Sequence, residues 1–334
     1  MSSPFMLRLL AAGVNIANQA GNIVRHVMSS GQLGIVDKGI NDLQTQADRS
    51  TQKSIVASFA HQFPNVTVIG EETLDSSESI TDEWIVKGQC EDVLKVTCPA
   101  EFLNVQPEDI VIWVDPLDGT AEYTQGLLDH VTVLIGISVK GRSVAGIIHQ
   151  PYYNYQNESD PLNLGRTMWG IIGAGIHGIK QEAPPEGKRI LTTTRSHLTP
   201  EVTAALDAMS PDDIIRVGGA GHKLIGPNKN VWLYILRVFP REKLLERGVL
   251  LLIEGKAHAY VFASPGCKKW DTCAPEALLH AVGGRLTDMH GSLYQYDKDV
   301  KHRNSGGVLA TAYEKNHQWY LERVPETVKS SLPA

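Results

Sequence analysis

The chain reads Ile110-Val111-Ile112-Trp113-Val114-Asp115-Pro116-Leu117-Asp118-Gly119-Thr120 where an apolar run passes directly into two carboxylates and a hydroxyl. Such a run predicts a strand near the centre of a sheet, buried on both faces. Because Pro116 has no N–H to donate, we expect the strand to end there. Asp115, Asp118 and Thr120 would then cluster at the carboxyl end of the strand, where ligands bind in open α/β sheets. Asp-Pro and Asp-Gly are also common turn pairs, so an ordinary turn remains an alternative.

Helix and strand patterns alternate on both sides of this stretch. Apolar residues at helical spacing predict a helix over about residues 5–29. A second helix is predicted over about 43–62, with Asp42 as its N-cap. Residues 131–139 and 143–149 read as the two strands of a hairpin. This mixture predicts an α/β fold (mixed α+β) of layered sheets and helices.

Composition and charge exclude several classes of protein. The chain has 334 residues and a formal net charge of −6, which disfavours binding to a nucleic-acid polymer. Its four cysteines form no C-x-x-C pair, which disfavours a cysteine zinc site or a disulfide framework. No apolar stretch approaches the roughly 18 residues that span a bilayer, and no secretory signal is evident. We therefore expect a cytoplasmic protein with no membrane role. The residues do not indicate which oligomeric state the protein has.

Further carboxylates stand where other predicted elements begin or end: Glu71 and Glu72 after a short strand, Asp271 at a helix start, and Asp48 on the second helix. Taken alone, each is better explained as a loop residue (Glu71 and Glu72), an N-cap (Asp271) or a solvated helix position (Asp48). Crowded together, they would repel one another unless cations or protons neutralised them. They are hard oxygen donors with no histidine among them, which suits Mg²⁺ better than Zn²⁺. Two Mg²⁺ ions would activate a water and attract an anionic substrate to an acidic protein.

The acidic segments resemble the signature of the inositol monophosphatase superfamily of lithium-sensitive, Mg²⁺-dependent phosphatases. The segments that carry this resemblance are Gly70-Glu71-Glu72, residues 113–120 and Trp270-Asp271. Flanking segments resemble the 3′(2′),5′-bisphosphate nucleotidase branch of that superfamily: residues 42–48, 192–197, 217–221 and 264–271. The resemblance runs nearly end to end and implies a layered αβαβα sandwich resembling inositol monophosphatase and fructose-1,6-bisphosphatase.

The resemblance also implies an activity. It is the Mg²⁺-dependent hydrolysis of the 3′-phosphate of 3′-phosphoadenosine 5′-phosphate (adenosine 3′,5′-bisphosphate), which yields AMP. 3′-Phosphoadenosine 5′-phosphosulfate and inositol 1,4-bisphosphate are further substrates in this family. Two alternatives stay open: an inositol phosphate phosphatase of the same chemistry, and a catalytically impaired form that only binds nucleotide.

Matching positions imply a role for each site residue. Two or three Mg²⁺ ions would be held by Glu71, Asp115, Asp118, Asp271 and the carbonyl group of Leu117. The attacking water would be activated by the hydrogen-bonded pair Asp48 and Thr120. The nucleotide would be contacted by Thr194, His197, Gly219 and Lys223. We place a boundary at the Pro- and Asn-rich segment 150–164. The half 1–150 would carry most metal ligands, and the half 151–330 the nucleotide contacts and Asp271.

One segment departs from the resemblance. In the family, the helix after Gly-Gly-Ala-Gly runs almost directly into Leu-Ile-Glu-Gly-Lys-Ala, whereas here an insertion occupies about residues 226–250. Gly226-Pro227 predicts a break in the helix that Lys223 begins. The apolar stretch 231–236 has no evident burial site in the family fold. Three explanations stay open: a tolerated loop, an alternative-splice or gene-model product, or a segment that disables nucleotide binding and leaves the acidic site intact.

Overall fold

The computed structural model describes residues 3–39, 42–74, 80–158, 160, 164–194, 199–217 and 245–333, and elements are numbered over these ranges. The helices are α1 (Phe5–Ser30), α2 (Gln46–Gln62), α3 (Glu91–Leu94), α4 (Thr120–Thr124), α5 (Pro200–Ala208), α6 (Leu245–Ile253), α7 (Lys269–Ala281), α8 (Glu314–Leu321) and α9 (Glu326–Ser331). Short 3₁₀ turns occupy Asp82–Trp84, Ala100–Phe102, Pro107–Asp109 and Leu128–His130.

The strands form two large sheets and two small ones. They are β1 (Val36–Gly39), β2 (Asp42–Gln44), β3 (Thr67–Gly70), β4 (Ile110–Asp118), β5 (Thr132–Val139), β6 (Arg142–Gln150), β7 (Arg166–Ile171), β8 (Gly175–His177), β9 (Ile190–Thr194), β10 (Asp213–Val217), β11 (Ala259–Phe262), β12 (Cys267–Lys268), β13 (Arg285–Thr287), β14 (Arg303–Asn304) and β15 (Val308–Thr311). The predicted hairpin is confirmed as β5 and β6, and the first predicted helix as α1.

The first two layers are a pair of helices on a six-stranded sheet ordered β3-β4-β5-β6-β7-β8. Helix α1 packs against α2 and against strands of this sheet, and the core between them is built from α1 residues such as Leu10 and Ala17 and strand residues such as Ile135 and Ile147. The helix ends where Gly31 takes a positive φ of 69°, a conformation that favours glycine. The apolar face predicted from the sequence therefore faces the sheet.

The central strand β4 is buried along its whole length and pairs in parallel with β3 and antiparallel with β5. The expectation that it ends at Pro116 is wrong, because strand geometry continues to Asp118. The pairing with β5 shifts register between Asp115 and Asp118. Pro116 lies inside this irregular stretch, where its missing N–H interrupts no regular ladder.

The remaining layers repeat the pattern. Helices α6 and α7 lie between the six-stranded sheet and a five-stranded sheet ordered β10-β9-β11-β15-β13. Helices α5, α8 and α9 cover the outer face of that second sheet, with a core of their own. The layers therefore run helix, sheet, helix, sheet, helix, which confirms the predicted αβαβα sandwich.

Helix α7 lies unusually close to the six-stranded sheet. A Cβ added at Gly146 would lie 2.4 Å from the carbonyl oxygen of Ala274, and one at Gly136 would lie 2.5 Å from the Cβ of Cys273. Ser143 Oγ also donates a 2.7 Å hydrogen bond to the carbonyl of Cys273. Because both glycines lack a side chain, the helix that starts beside Asp271 can press directly onto the sheet.

Across the ranges that the structure describes, no helix is both long and apolar enough to cross a membrane.

The predicted boundary segment 150–164 connects β6 to β7, which pair within one sheet. The division into halves 1–150 and 151–330 stays a prediction.

Candidate active site

The predicted acidic site lies where two parallel strands end side by side. Asp115 and Asp118 occupy the last residues of β4, and Glu71 follows β3 directly. The N–H of Glu71 donates to the carbonyl of Val114 at 3.1 Å, so the two chain segments stay paired up to the carboxylates. Since parallel strands share one carboxyl edge, residues far apart in sequence meet here.

Asp48 enters the site from the first turn of α2. Thr45 is the N-cap of this helix, and its hydroxyl accepts the N–H of Ala47 at 3.1 Å. The backbone N–H and the hydroxyl of Thr45 both donate to Asp48 Oδ2, at 2.7 and 2.5 Å. The predicted N-cap Asp42 is therefore wrong, because Asp42 belongs to β2 and the helix starts at Gln46. The spacing Thr-x-x-Asp is a capping-box pattern that could have identified Thr45.

Thr120 is brought against Asp48 by a tight reversal after β4. Gly119 has a φ of 90°, a conformation that suits glycine, and Thr120 begins α4. The Thr120 hydroxyl lies 2.9 Å from Asp48 Oδ1 and 2.9 Å from the carbonyl oxygen of Leu117. A hydroxyl carries one proton, so it donates to one of these acceptors at a time. The structure thus joins the three predicted residues Asp48, Leu117 and Thr120.

Burial gives these acids unusual proton affinities. Asp48 is 1% exposed, and this burial raises its pKa to about 7 although Thr45 and Thr120 donate hydrogen bonds to it. Asp115 is 2% exposed, and burial and the charges of Glu71 and Asp271 raise its pKa well above the ordinary value. Burial and neighbouring carboxylates likewise raise the pKa of Asp118. Loss of water around these carboxyls is the largest cause, and repulsion from neighbouring carboxylates adds to it.

Glu71 and Asp271 are both engaged by Lys268, which the sequence analysis did not single out. Lys268 Nζ forms an ion pair with Glu71 Oε1 at 3.2 Å, and its backbone N–H donates to Asp271 Oδ2 at 2.7 Å. Asp271 lies in the first turn of α7, where its side chain caps the helix. The signal in the sequence was the position of Lys268 three residues before Asp271, the spacing of a helix cap.

Glu72 is held by structural contacts, although its charge also acts on Asp48. Its carboxylate binds Lys38 Nζ at 2.8 Å and Gln44 Nε2 at 2.5 Å, while Gln52 bonds its backbone N–H and carbonyl. These bonds satisfy a side chain that is buried at the junction of β2, α2 and β3. Glu72 therefore has two partners that fix its carboxylate, whereas Glu71 contacts Lys268 Nζ and its charge acts on Asp115.

The cluster fits a hard divalent cation by its chemistry. Asp118 Oδ2 is buried and receives no hydrogen bond, and an uncompensated carboxylate oxygen at such a place is costly unless a cation or proton satisfies it. Among the described residues, no three His, Cys, Asp or Glu side chains converge closely enough to enclose an ion. Glu71 and Asp271 are instead held by Lys268. Carboxylates with a carbonyl group are the donors that Mg²⁺ prefers.

Of the four residues predicted to contact the nucleotide, Thr194 lies within the described ranges. Thr194 is the last residue of β9 and is buried. His197, Gly219 and Lys223 lie outside the described ranges, as does most of the predicted insertion. Their assignment to the nucleotide stays a prediction.

Sequence reasoning missed Glu246. It belongs to α6 and is fully buried, and its carboxyl faces that of Asp118. This residue lies within the predicted insertion 226–250. A single acidic residue within the apolar pattern Leu245, Val249, Leu252 was the available signal, because a buried charge on an apolar helix requires a partner.

Comparison with known proteins places the chain in a family. The model of the inositol monophosphatase family matches residues 6–226 and 244–329. The unmatched residues 227–243 fall within the predicted insertion, whereas residues 244–250 are matched. The chain is 53% identical over 328 residues to a rat 3′(2′),5′-bisphosphate nucleotidase 1, covering 98% of this chain and 97% of that protein. A human protein of the same name is 52% identical over 332 residues, covering 99% and 98% of the two chains.

Solved structures share the fold at low sequence identity. The extragenic suppressor protein SuhB from Bartonella henselae has a TM-score of 0.60 at 18% identity, over 94% of this chain and 97% of that one. A staphylococcal IMPase-II has a TM-score of 0.60 at 14% identity, over 96% and 98% of the two chains. The match of the family model over most of the chain and the identity to full-length relatives lead to one conclusion. The chain belongs to the inositol monophosphatase family.

Proposed function

We propose that this chain is a Mg²⁺-dependent phosphatase that hydrolyses the 3′-phosphate of adenosine 3′,5′-bisphosphate and yields AMP. The relatives at 52–53% identity carry the name 3′(2′),5′-bisphosphate nucleotidase 1 and align over nearly the whole chain. The observation that supports the chemistry is the hydrogen-bonded pair Asp48–Thr120 beside the buried carboxylates of β4. A base and a cation-binding cluster at one strand edge are the parts that this reaction requires.

Two or three Mg²⁺ ions would be held by Glu71, Asp115, Asp118, Asp271 and the carbonyl group of Leu117. When bound, Mg²⁺ would offset the charge of the phosphate and lower the pKa of the attacking water. Lys268 would have to release Glu71 for that residue to serve as a ligand. Its ammonium group would then be close to the anionic substrate, where a lysine acts as a point charge.

Asp48 and Thr120 would remove the proton of the attacking water. The water would donate to Thr120 Oγ, while the Thr120 hydroxyl donates its own proton to Asp48 Oδ1 across 2.9 Å. The pKa of Asp48, about 7, suits a base near neutral pH. The two donors of Thr45 fix Asp48 Oδ2, which leaves Oδ1 to accept. After the transfer, Thr120 can turn its proton to the Leu117 carbonyl, also 2.9 Å away.

The rest of the proposal concerns the substrate and its setting. Thr194, His197, Gly219 and Lys223 would contact the nucleotide, with no nucleic-acid polymer and no membrane involved. 3′-Phosphoadenosine 5′-phosphosulfate would be a further substrate, and the protein would act in the cytoplasm. An inositol phosphate phosphatase is the second candidate, because the family model that matches this chain is that of inositol monophosphatase.

The test is phosphate release by the purified protein from 3′-phosphoadenosine 5′-phosphate and from inositol 1,4-bisphosphate, each with Mg²⁺ and with excess EDTA. We expect Mg²⁺-dependent release that is faster from the nucleotide. Faster release from the inositol phosphate would favour the second candidate. Thermal stabilisation by the nucleotide without any release would indicate an impaired nucleotide-binding protein and overturn the proposal.

A further inference from the structure

Helix α6 carries a carboxylate to Asp118, at the end of β4. The helix packs against α7 and against β9 and β11 of the second sheet. Its apolar residues Leu245, Val249 and Ile253 belong to the core between the two sheets. A Cβ at Gly248 would lie 2.2 Å from the ring of Tyr260, so the helix is seated closely. Glu246 therefore has little freedom to turn away from the cluster.

Few groups compensate the charge of Glu246. The residue is 0% exposed, and neither of its carboxyl oxygens has a hydrogen bond of ordinary length and angle. Its carboxyl faces that of Asp118, whose Oδ2 is likewise buried without such a bond. The backbone N–H groups of Glu246 and Arg247 and the charge of Arg247 favour the ionised form of Glu246, but burial opposes it more strongly. Two facing ionised carboxylates in a dry interior are unfavourable unless a proton or a cation joins them.

The pair has the donor chemistry of a divalent-cation site. Each carboxylate offers oxygen lone pairs, and none of the donors nearby bonds them with ordinary length and angle. A cation between Asp118 and Glu246 would satisfy at once two groups that the protein leaves unsatisfied. Without a cation the two carboxyls can coexist only by sharing a proton, and removal of one of them relieves their repulsion.

We infer that Glu246 is an additional carboxylate ligand of the divalent-cation site built on Asp118. The inference rests on the proposed function, since it extends the metal centre named there. It has a structural consequence: the cation would tie α6 to the end of β4. Helix α6 begins at Leu245, shortly after residues 227–243, the part of the chain that the family model leaves unmatched. The metal would thus anchor the helix that begins within the predicted insertion 226–250.

The test measures cation binding directly, without substrate. Mn²⁺ binding is followed by the EPR signal of the free ion, and Mg²⁺ binding by the rise in melting temperature over EDTA. The variants are Glu246→Gln, which removes the charge and keeps the shape, and Glu108→Gln, an exposed glutamate just before the opposite end of β4. We expect Glu246→Gln to weaken Mn²⁺ binding at least about tenfold. Glu246→Gln should also raise the melting temperature in EDTA and reduce the rise in melting temperature that Mg²⁺ produces. Glu108→Gln should change neither the Mn²⁺ affinity nor these melting temperatures.

Unchanged Mn²⁺ affinity in Glu246→Gln would overturn the inference. If turnover were also faster in this variant, Glu246 would be an obstruction to the reaction. Asp115→Asn separates this failure from that of the proposed function. If the wild type binds Mn²⁺ and only Asp115→Asn loses it, the inference alone fails. If neither binds, the metal centre itself fails. Should Glu246→Gln not fold, Glu246→Asp keeps the charge on a shorter chain and is expected to bind with intermediate affinity.

Discussion

The hydroxyl of Thr120 lies 2.9 Å from Oδ1 of Asp48, although 72 positions separate the two residues in sequence. Asp48 is fixed by the cap of one helix and Thr120 by the first turn of another. The contact therefore depends on how α2 and the end of β4 are packed together. It joins the proposed base to the residue that would relay the proton of the attacking water.

Changing the Thr120 hydroxyl tests this relay. We expect Thr120→Val to lower kcat by about 10² to 10⁴, because valine keeps the shape but can neither accept nor donate the proton. Thr120→Ser keeps the hydroxyl and should stay within about tenfold of the wild type in kcat. Steady-state kinetics of phosphate release gives both values. Equal kcat for the valine and serine variants would show that the hydroxyl transfers no proton.

The pH dependence of stability reports on buried Asp48. Its pKa of about 7 in the folded protein lies above the ordinary 3.8, so the folded state keeps a proton that the unfolded chain loses as pH rises. At pH values below 3.8 the carboxyl is protonated in both states and costs nothing. Between about 4 and 7 the penalty grows, to at most about 4 kcal/mol. In EDTA, Asp48→Asn should therefore stabilise the protein more at about pH 8 than at about pH 4.5.

Thermal unfolding of both proteins at the two pH values makes that measurement. Asparagine can still accept from Thr45 and donate to Thr120, so the fold should be kept while turnover is lost. An equal difference in melting temperature at both pH values would contradict the raised pKa of Asp48.

Asp115 tests the link between cations and stability. Burial and the charges of Glu71 and Asp271 raise its pKa and oppose its ionisation when no cation is bound. We expect Asp115→Asn to raise the melting temperature in EDTA and to abolish most of the increase that Mg²⁺ produces. Differential scanning calorimetry with and without Mg²⁺ checks both effects. If Mg²⁺ raised the melting temperature of this variant as much as that of the wild type, the cation would bind elsewhere.

Gly146 tests the close packing of α7 on the sheet. A Cβ there would lie 2.4 Å from the carbonyl oxygen of Ala274, a backbone atom that cannot rotate away. We expect Gly146→Ala to lower the free energy of unfolding by about 1–3 kcal/mol and to weaken Mg²⁺ binding, since Asp271 is carried by the same helix. Gly88→Ala is the matched control, because its nearest neighbour would be Asn15 Nδ2 at an ordinary 3.6 Å. Urea unfolding of both variants gives the comparison.

Local patterns predicted the elements of the fold well. The helical spacing of apolar residues at the N-terminus corresponds to α1, and the turn at Lys140-Gly141 joins β5 and β6. Errors arose at element ends. Strand β4 continues past Pro116 because a register shift accommodates it, and α2 starts at Gln46 because Thr45, rather than Asp42, has the capping partner.

The amino-acid sequence by itself determined the donor chemistry of the site. The order of carboxylates and hydroxyl after an apolar strand is local, so Asp115, Asp118 and Thr120 could be selected from the residues alone. The residues also offered Asp48, Glu71 and Asp271, each with a plain alternative, and the family resemblance gave them roles. The structure brings all six to one region through β3, β4, α2 and α7.

Only the tertiary structure decided which charges meet. Lys268 pairs with Glu71 across 197 positions, and the Glu246 carboxyl faces Asp118 from helix α6. No local pattern specifies such a pair, because the contact depends on the packing of α6 and α7 between two sheets. The same packing removes water from the carboxylates, and that desolvation raises the pKa values of Asp48, Asp115 and Asp118.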